Sequence, residues 1–341
     1  MKLFIGSYAP ADQNGLYCAE FDPDSGQFSL LHAFPGLLNP SFLALSASGE
    51  YLYAVSETIS ENGSIAAFRV SVEGRLDLLN RQDTLGAAPC HVGLDAAQQR
   101  LVCSNYLGGS LSVHAVNSDG SLSPALQWLN HHGQGPHPER QQSPHPHSAV
   151  FDAAHRQWLV PDLGCDRLFV YAGAEPCLVL QQEYALPPGS GPRHLALHPA
   201  GKVVYLVNEL ASTVTVFLRA GEGLRAVQAV SCLPDNFAGA STAAHIQVSP
   251  DARHLYVSNR GHDSLALFTI AADGRLTPSG HTPGAGRTPR HFSLSPDGHF
   301  VLVANQDSGT LNVFRRNVDT GQLRDTGHSL RLPAPSCVVM A

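Results

Sequence analysis

Charge is scarce in this chain, and its cysteines are scattered. Lysine and arginine total 21 against 28 acids, a net charge of -7 with histidine neutral. So few basic residues form no stripe to follow a phosphate backbone, which sets nucleic acid aside as the main partner. The seven cysteines are odd in number and include no CxxC pair, so buried reduced thiols and a cytoplasmic setting are expected. The opening MKLFIGSYAPADQNG carries one lysine and a short apolar run broken by turn residues, too short for the core of an export signal. No membrane contact is expected, and helical periodicity is weak throughout.

What the chain does have is turns and a repeat. Gly 31 and Pro 24 accompany 43% hydrophobic residues, the composition of a turn-rich globular protein. One unit recurs: a short apolar strand, a polar turn, a second apolar strand ending in a small polar pair, and a third alternating strand. Four copies are plain, starting at Cys90, Pro192, Ala243 and Pro289, and two looser ones start at Pro40 and His147. The seventh is split, with APSCVVMA at the C-terminus as a first strand and KLFIGSY and GLYCAEF as the second and third. A fourth strand follows turns such as NSDGSLSPAL and AADGRLTPSG. The reading is all-β: a seven-bladed β-propeller with four antiparallel strands per blade, the N- and C-terminal strands closing one blade, and residues 1–341 forming a single domain.

Register sharpens this. The equivalent first-strand position is Phe42, His91, His147, His194, His245, His291 and Cys337. Fifteen residues later, at the end of the second strand, come Glu57, Tyr106, Asp162, Glu209, Arg260 and Gln306, with Tyr8 supplying the split blade. The start of one strand and the end of its antiparallel neighbour share a face, so two polar rings are expected at one channel mouth. A plainer role exists for the histidines, since a duplicated unit can keep an imidazole that bonds the next blade's backbone. For the charged ring the plain alternative is mutual ion pairing. The stretch HHGQGPHPERQQSPHPH, from His131 to His147, reads as a proline-stiffened inter-blade loop rather than a metal site, because no HExxH helix or matching ligand spacing accompanies it. No metal and no cofactor are expected. Trp128 and Trp158 read as packing residues, and GAGRTPR around Arg287 lacks the strand-to-helix setting of a phosphate loop.

Several segments together resemble one family: GQGPHPERQQSPHPH (Gly133 to His147), GPRHLALHP (Gly191 to Pro199), VNEL (Val207 to Leu210), HIQVSPDARHLYVSNRGHDS (His245 to Ser264) and PRHFSLSPDGHFVLVANQ (Pro289 to Gln306). They look like the bacterial seven-bladed propeller lactonases, which include propeller-type 6-phosphogluconolactonases and carboxymuconate lactonizing enzymes. The resemblance covers nearly the whole chain. It implies metal-independent lactone chemistry with His147, Arg193, Glu209 and Arg260 as catalytic residues and a small anionic lactone or sugar acid as substrate. His194, His245, Arg290, Glu57, Asp162, Gln306, His91 and His291 are the further substrate-binding candidates. Lactone hydrolysis needs a base for water, donors around an oxyanion and a proton for the leaving oxygen. His147 or Glu209 can serve as the base, and the guanidinium forks suit an anionic group or the carbonyl. The same groups could run a cycloisomerisation, and a propeller without catalysis could serve as an interaction platform. Monomer and homo-oligomer are both compatible with the sequence.

Overall fold

Each copy of the repeat folds as a four-stranded antiparallel meander, and there are seven such sheets. The computed structural model describes residues 1–59, 62–173, 177–221 and 223–341, and among these no helix occurs. The split copy assembles as expected: Pro335–Met340 from the C-terminus pairs beside Lys2–Ser7, followed by Leu16–Phe21 and Phe28–Phe34. The chain forms two compact units. The first comprises Met1–Phe21, Ser29–Gly189 and Val339–Ala341, and the second Asp22–Phe28 and Ser190–Val338.

The cores lie between neighbouring sheets. In the second unit, Val203, Tyr205, Val207, Val214 and Val216 of one sheet pack on Ile246, Leu255, Val257, Ala266 and Phe268 of the next. Strands buried on both faces read as nearly unbroken apolar runs, which is why VVYLV and HLYVS look so alike. A tyrosine in the second strand adds a polar lock. The hydroxyls of Tyr53, Tyr205 and Tyr256 donate to the carbonyls of Gly120, Gly274 and Gly321, each in a hairpin of the following sheet. Burial pushes the Tyr53 and Tyr256 phenols up to about 12, so they stay protonated donors near neutral pH.

In the first unit, Trp158 is fully buried among Val102, Val113, Val160 and Phe169 and meets Phe151 at a ring distance of 5.2 Å. Trp128 departs from its expected packing role: it sits on the outer strand Gln127–Asn130 and is 48% exposed. An outermost strand has no further sheet to cover its second face.

Second strands end in a buried amide that the repeat keeps for the fold. Asn105 donates to Thr84 O and Ser110 Oγ, Asn259 to Cys232 O, and Asn305 to Gly284 O and Asn312 Oδ1. Asn208 donates to Thr213 and Thr215. Each asparagine ties its strand end to the loop that enters its own sheet or to the strand that follows. The residue immediately after it is therefore held in place while its own identity is free to vary.

Candidate active site

First strands in four sheets share a second device, a β-bulge at the ring position. Pro192 pairs with Asn208 and His194 with Val207, so Arg193 is the extra residue. The same shift skips Cys90 before His91 and Arg290 before His291, and another lies between Ala243 and Ile246, around His245. A bulge leaves one residue outside the ladder and re-aims its side chain. Arg193 thereby becomes available to a partner that regular alternation would deny it.

In the second unit that partner is Glu209. Arg193 Nε lies 3.0 Å and Arg260 Nη2 2.8 Å from the same oxygen, Glu209 Oε2. The side chains of Arg193 and Glu209 are 3% and 2% exposed, while Arg260 is 14% exposed. Backbone carbonyls hold the forks as well: Arg193 Nη1 donates to Ala244 O at 2.6 Å and Arg260 Nη2 to Ala243 O at 3.2 Å. Glu209 itself is set by its amide, which donates to Gly191 O, and Gly191 has φ +60 with the Leu210 side chain where a Cβ would stand. One carboxylate between two guanidiniums leaves an excess positive charge in these three groups. A buried cationic excess is costly unless an anion or developing negative charge offsets it.

Imidazoles flank this cluster. His194 Nδ1 and His245 Nδ1 are 3.0 Å apart, and His245 stacks on His291 at 3.8 Å. His291 Nδ1 accepts the Val338 amide, which is the backbone role a duplicated histidine can have. Arg290 and Gln306 are half-buried at the ends of their strands.

In the first unit the candidates fall into three groups. His147 is buried, with Cys90 Sγ 3.6 Å from its Nδ1 and the Tyr106 ring edge-on at 5.1 Å. Tyr106 in turn stacks on His145 at 4.4 Å and accepts a hydrogen bond from Arg140. His91 Nδ1 accepts the Ala149 amide and its ring meets Phe42 at 4.3 Å, again the backbone role. Glu57 receives the hydroxyls of Tyr8 and Ser41.

Asp162 has a different setting from the one the ring suggested. It is fully buried, and Oδ1 accepts the amides of His145, Gly164 and Cys165. Its other oxygen meets His131 Nδ1 at 2.7 Å, and His131 Nε2 meets the Tyr171 hydroxyl. That carboxylate anchors the histidine- and proline-rich loop, which passes so close that a Cβ on Gly164 would lie 1.9 Å from Ser143 O. Sequence reasoning missed His131, His145 and Arg140, because their loop belongs to no repeat copy. The signals were the tight run of histidines and the motif Gly133 to His147 that shares in the family resemblance.

The family described as lactonase, 7-bladed beta-propeller, matches residues 2–340. The chain belongs to this family. It is 35% identical to a 6-phosphogluconolactonase of Bacillus subtilis, over 98% of this chain and 97% of the relative. A 6-phosphogluconolactonase of Formosa agariphila is likewise 35% identical, over 99% of both chains. Among solved structures, the periplasmic gluconolactonase of Pseudomonas aeruginosa is similar with a TM-score of 0.90 and 33% identity, covering 99% of this chain and 98% of that one. The fold of this lactonase-family chain is thus the all-β, seven-bladed propeller with its two terminal strands in one blade.

Proposed function

We propose that this chain hydrolyses a sugar-acid lactone, with 6-phosphogluconolactone as the substrate its relatives' names suggest. The observation that carries the reading is Glu209 held between Arg193 and Arg260. Attack on the lactone carbonyl moves negative charge onto its oxygen, and preorganised guanidiniums stabilise that charge without reorganising at the moment of reaction. Arg260, the more exposed of the two, is the one assigned to meet the substrate's carbonyl or anionic group. Arg193, nearly inaccessible, is assigned to the frame. Glu209 Oε2 is engaged by both guanidiniums, and that occupation favours an imidazole over Glu209 as the base. His147 is the imidazole that the family resemblance assigns to proton transfer. Arg290, Gln306 and Glu57 are proposed as secondary substrate contacts, and the chemistry is proposed to run without metal or cofactor.

Seven free cysteines support a cytoplasmic setting, six of them buried. Burial raises the thiols of Cys103, Cys165 and Cys232 and pushes Cys18 up to about 11, which keeps them unreactive. The test is a panel of phosphorylated and unphosphorylated aldonolactones plus carboxymuconate, assayed with purified protein in a chelator. Turnover of the phosphorylated lactone with chelator present is expected. Loss of turnover on chelation contradicts metal-free chemistry, and turnover of carboxymuconate alone replaces hydrolysis with cycloisomerisation.

A further inference from the structure

We propose that His145 recognises the substrate by accepting a hydrogen bond from one of its hydroxyls at Nε2, an inference that rests on the lactonase reading and deepens it. His145 Nδ1 lies 2.7 Å from the Tyr106 carbonyl oxygen. A carbonyl oxygen only accepts, so Nδ1 carries the proton. The neutral ring therefore presents a lone pair at Nε2. His145 is 7% exposed, and among the described residues nothing meets Nε2 within hydrogen-bond distance. Nε2 itself is not sealed from solvent. A polar atom in so buried a side chain calls for a partner, and a ligand hydroxyl supplies one.

The rest of the residue is held in place. Its amide donates to Asp162 Oδ1 at 2.7 Å, and its carbonyl accepts the Leu163 amide at 3.0 Å. Pro144 and Pro146 flank it and restrict the backbone on both sides. The Tyr106 ring stacks on the imidazole, with centroids 4.4 Å apart and planes 11° from parallel. Asp162 directs its charge at His131 and at backbone amides, which leaves His145 a neutral partner at Nδ1. A carbonyl fixes the tautomer without supplying charge to an imidazolium, and this suits a hydrogen-bond acceptor better than a proton carrier. His147, edge-on to the same Tyr106 ring at 5.1 Å, keeps the proton transfer assigned to it. Arg140 donates to the Tyr106 hydroxyl at 3.1 Å. One tyrosine thus touches an acceptor, a proton carrier and a cation.

This set matches the chemistry of a polyhydroxy acid. An aldonolactone carries hydroxyls that donate to a neutral imidazole nitrogen in the plane of its ring, at about 2.8 Å. Carboxymuconate, ionised at neutral pH, carries only carboxylate oxygens. Those accept, so Nε2 and a carboxylate face each other as two acceptors. A site that hydrogen-bonds a substrate hydroxyl rejects the analogue that lacks it, because its own polar group is then left unpaired. His145 thereby separates the two substrate classes raised by the family resemblance. It favours the hydroxylated lactone over the unsaturated polyacid.

The test uses two substitutions of the full chain that divide the ring. His145→Asn keeps a side-chain N–H for the Tyr106 carbonyl and removes the outer acceptor, whereas His145→Gln keeps an acceptor near Nε2 and gives up the inner bond. His145→Asn should raise KM for 6-phosphogluconolactone roughly tenfold, with kcat within about twofold and the melting temperature kept. His145→Gln should melt lower yet keep KM within roughly threefold. The reverse order, expected of a purely structural histidine, overturns the proposal. Loss of kcat at unchanged KM in His145→Asn also overturns it, by making His145 a proton carrier. Among monodeoxy aldonolactones, one should cost the unmodified protein about tenfold in kcat/KM and cost His145→Asn nothing further, and additive losses throughout overturn the assignment. If the unmodified protein turns over no lactone, the lactonase reading falls, and calorimetry with 6-phosphogluconate decides the subsite separately. Tighter binding by the unmodified protein than by His145→Asn sustains the subsite, and equal binding or none overturns it.

Discussion

Glu209 and Asp162 occupy the same place in the repeat, the end of a second strand fifteen residues after a ring histidine, yet they do opposite work. Asp162 is saturated by three backbone amides and His131, partners that hold a loop. Glu209 is met by two guanidiniums delivered from different strands, one of them through a bulge. The first arrangement consumes its charge in the fold, and the second sets one carboxylate against two guanidiniums. Equivalence of position thus sets where a carboxylate stands, and its partners decide what it does.

The comparison breaks most visibly if Asp162 is removed. Asp162→Ala strands three buried amides and should destabilise by on the order of 4 kcal/mol, read by denaturant unfolding. A variant with unchanged stability and lost turnover would put Asp162 on the substrate side instead. Next in size is Arg260→Gln, expected to lower kcat/KM about 10²-fold with the fold intact. A rise in KM assigns the fork to the anionic group, and a fall in kcat assigns it to the transition state.

His91→Ala sharpens the same contrast among the imidazoles. It leaves the Ala149 amide without its acceptor, a cost of roughly 1–2 kcal/mol with kcat retained. A fall in kcat without destabilisation would show that His91 meets the substrate. The smallest effect concerns a carboxylate away from both clusters. Burial alone raises the Asp251 carboxyl, but Ser249, Arg316 and the Arg253 amide outweigh it and hold the group at about 2. Its contribution is fully present above the unfolded value near 3.8 and is lost as pH falls through about 2. Melting temperature measured from pH 5 to 2 should fall less steeply in Asp251→Asn than in the unmodified chain.

Much of this was legible before any coordinates. Seven copies, four strands each and the split sheet follow from alternation and turn residues, because a repeat must bury the same faces each time. The ring positions Glu209 and Arg260 were legible from offset alone. The bulge that turns Arg193 toward Glu209 was not, since PRHLAL reads as plain alternation and only the pairing register shows the skipped residue. Nor was the diversion of Asp162, whose partners lie in the loop that departs from the repeat. His91 and His291 were given two possible roles, and the amides of Ala149 and Val338 supply the backbone one.

The measurement that bears most directly on all this is steady-state hydrolysis of 6-phosphogluconolactone by Glu209→Gln, run beside the unmodified protein with thermal melting of both. Neutralising the residue that aligns Arg193 and Arg260 should cut kcat/KM about 10²–10³-fold in protein that still melts cooperatively. Folded Glu209→Gln that turns over the lactone at the full rate would contradict the account.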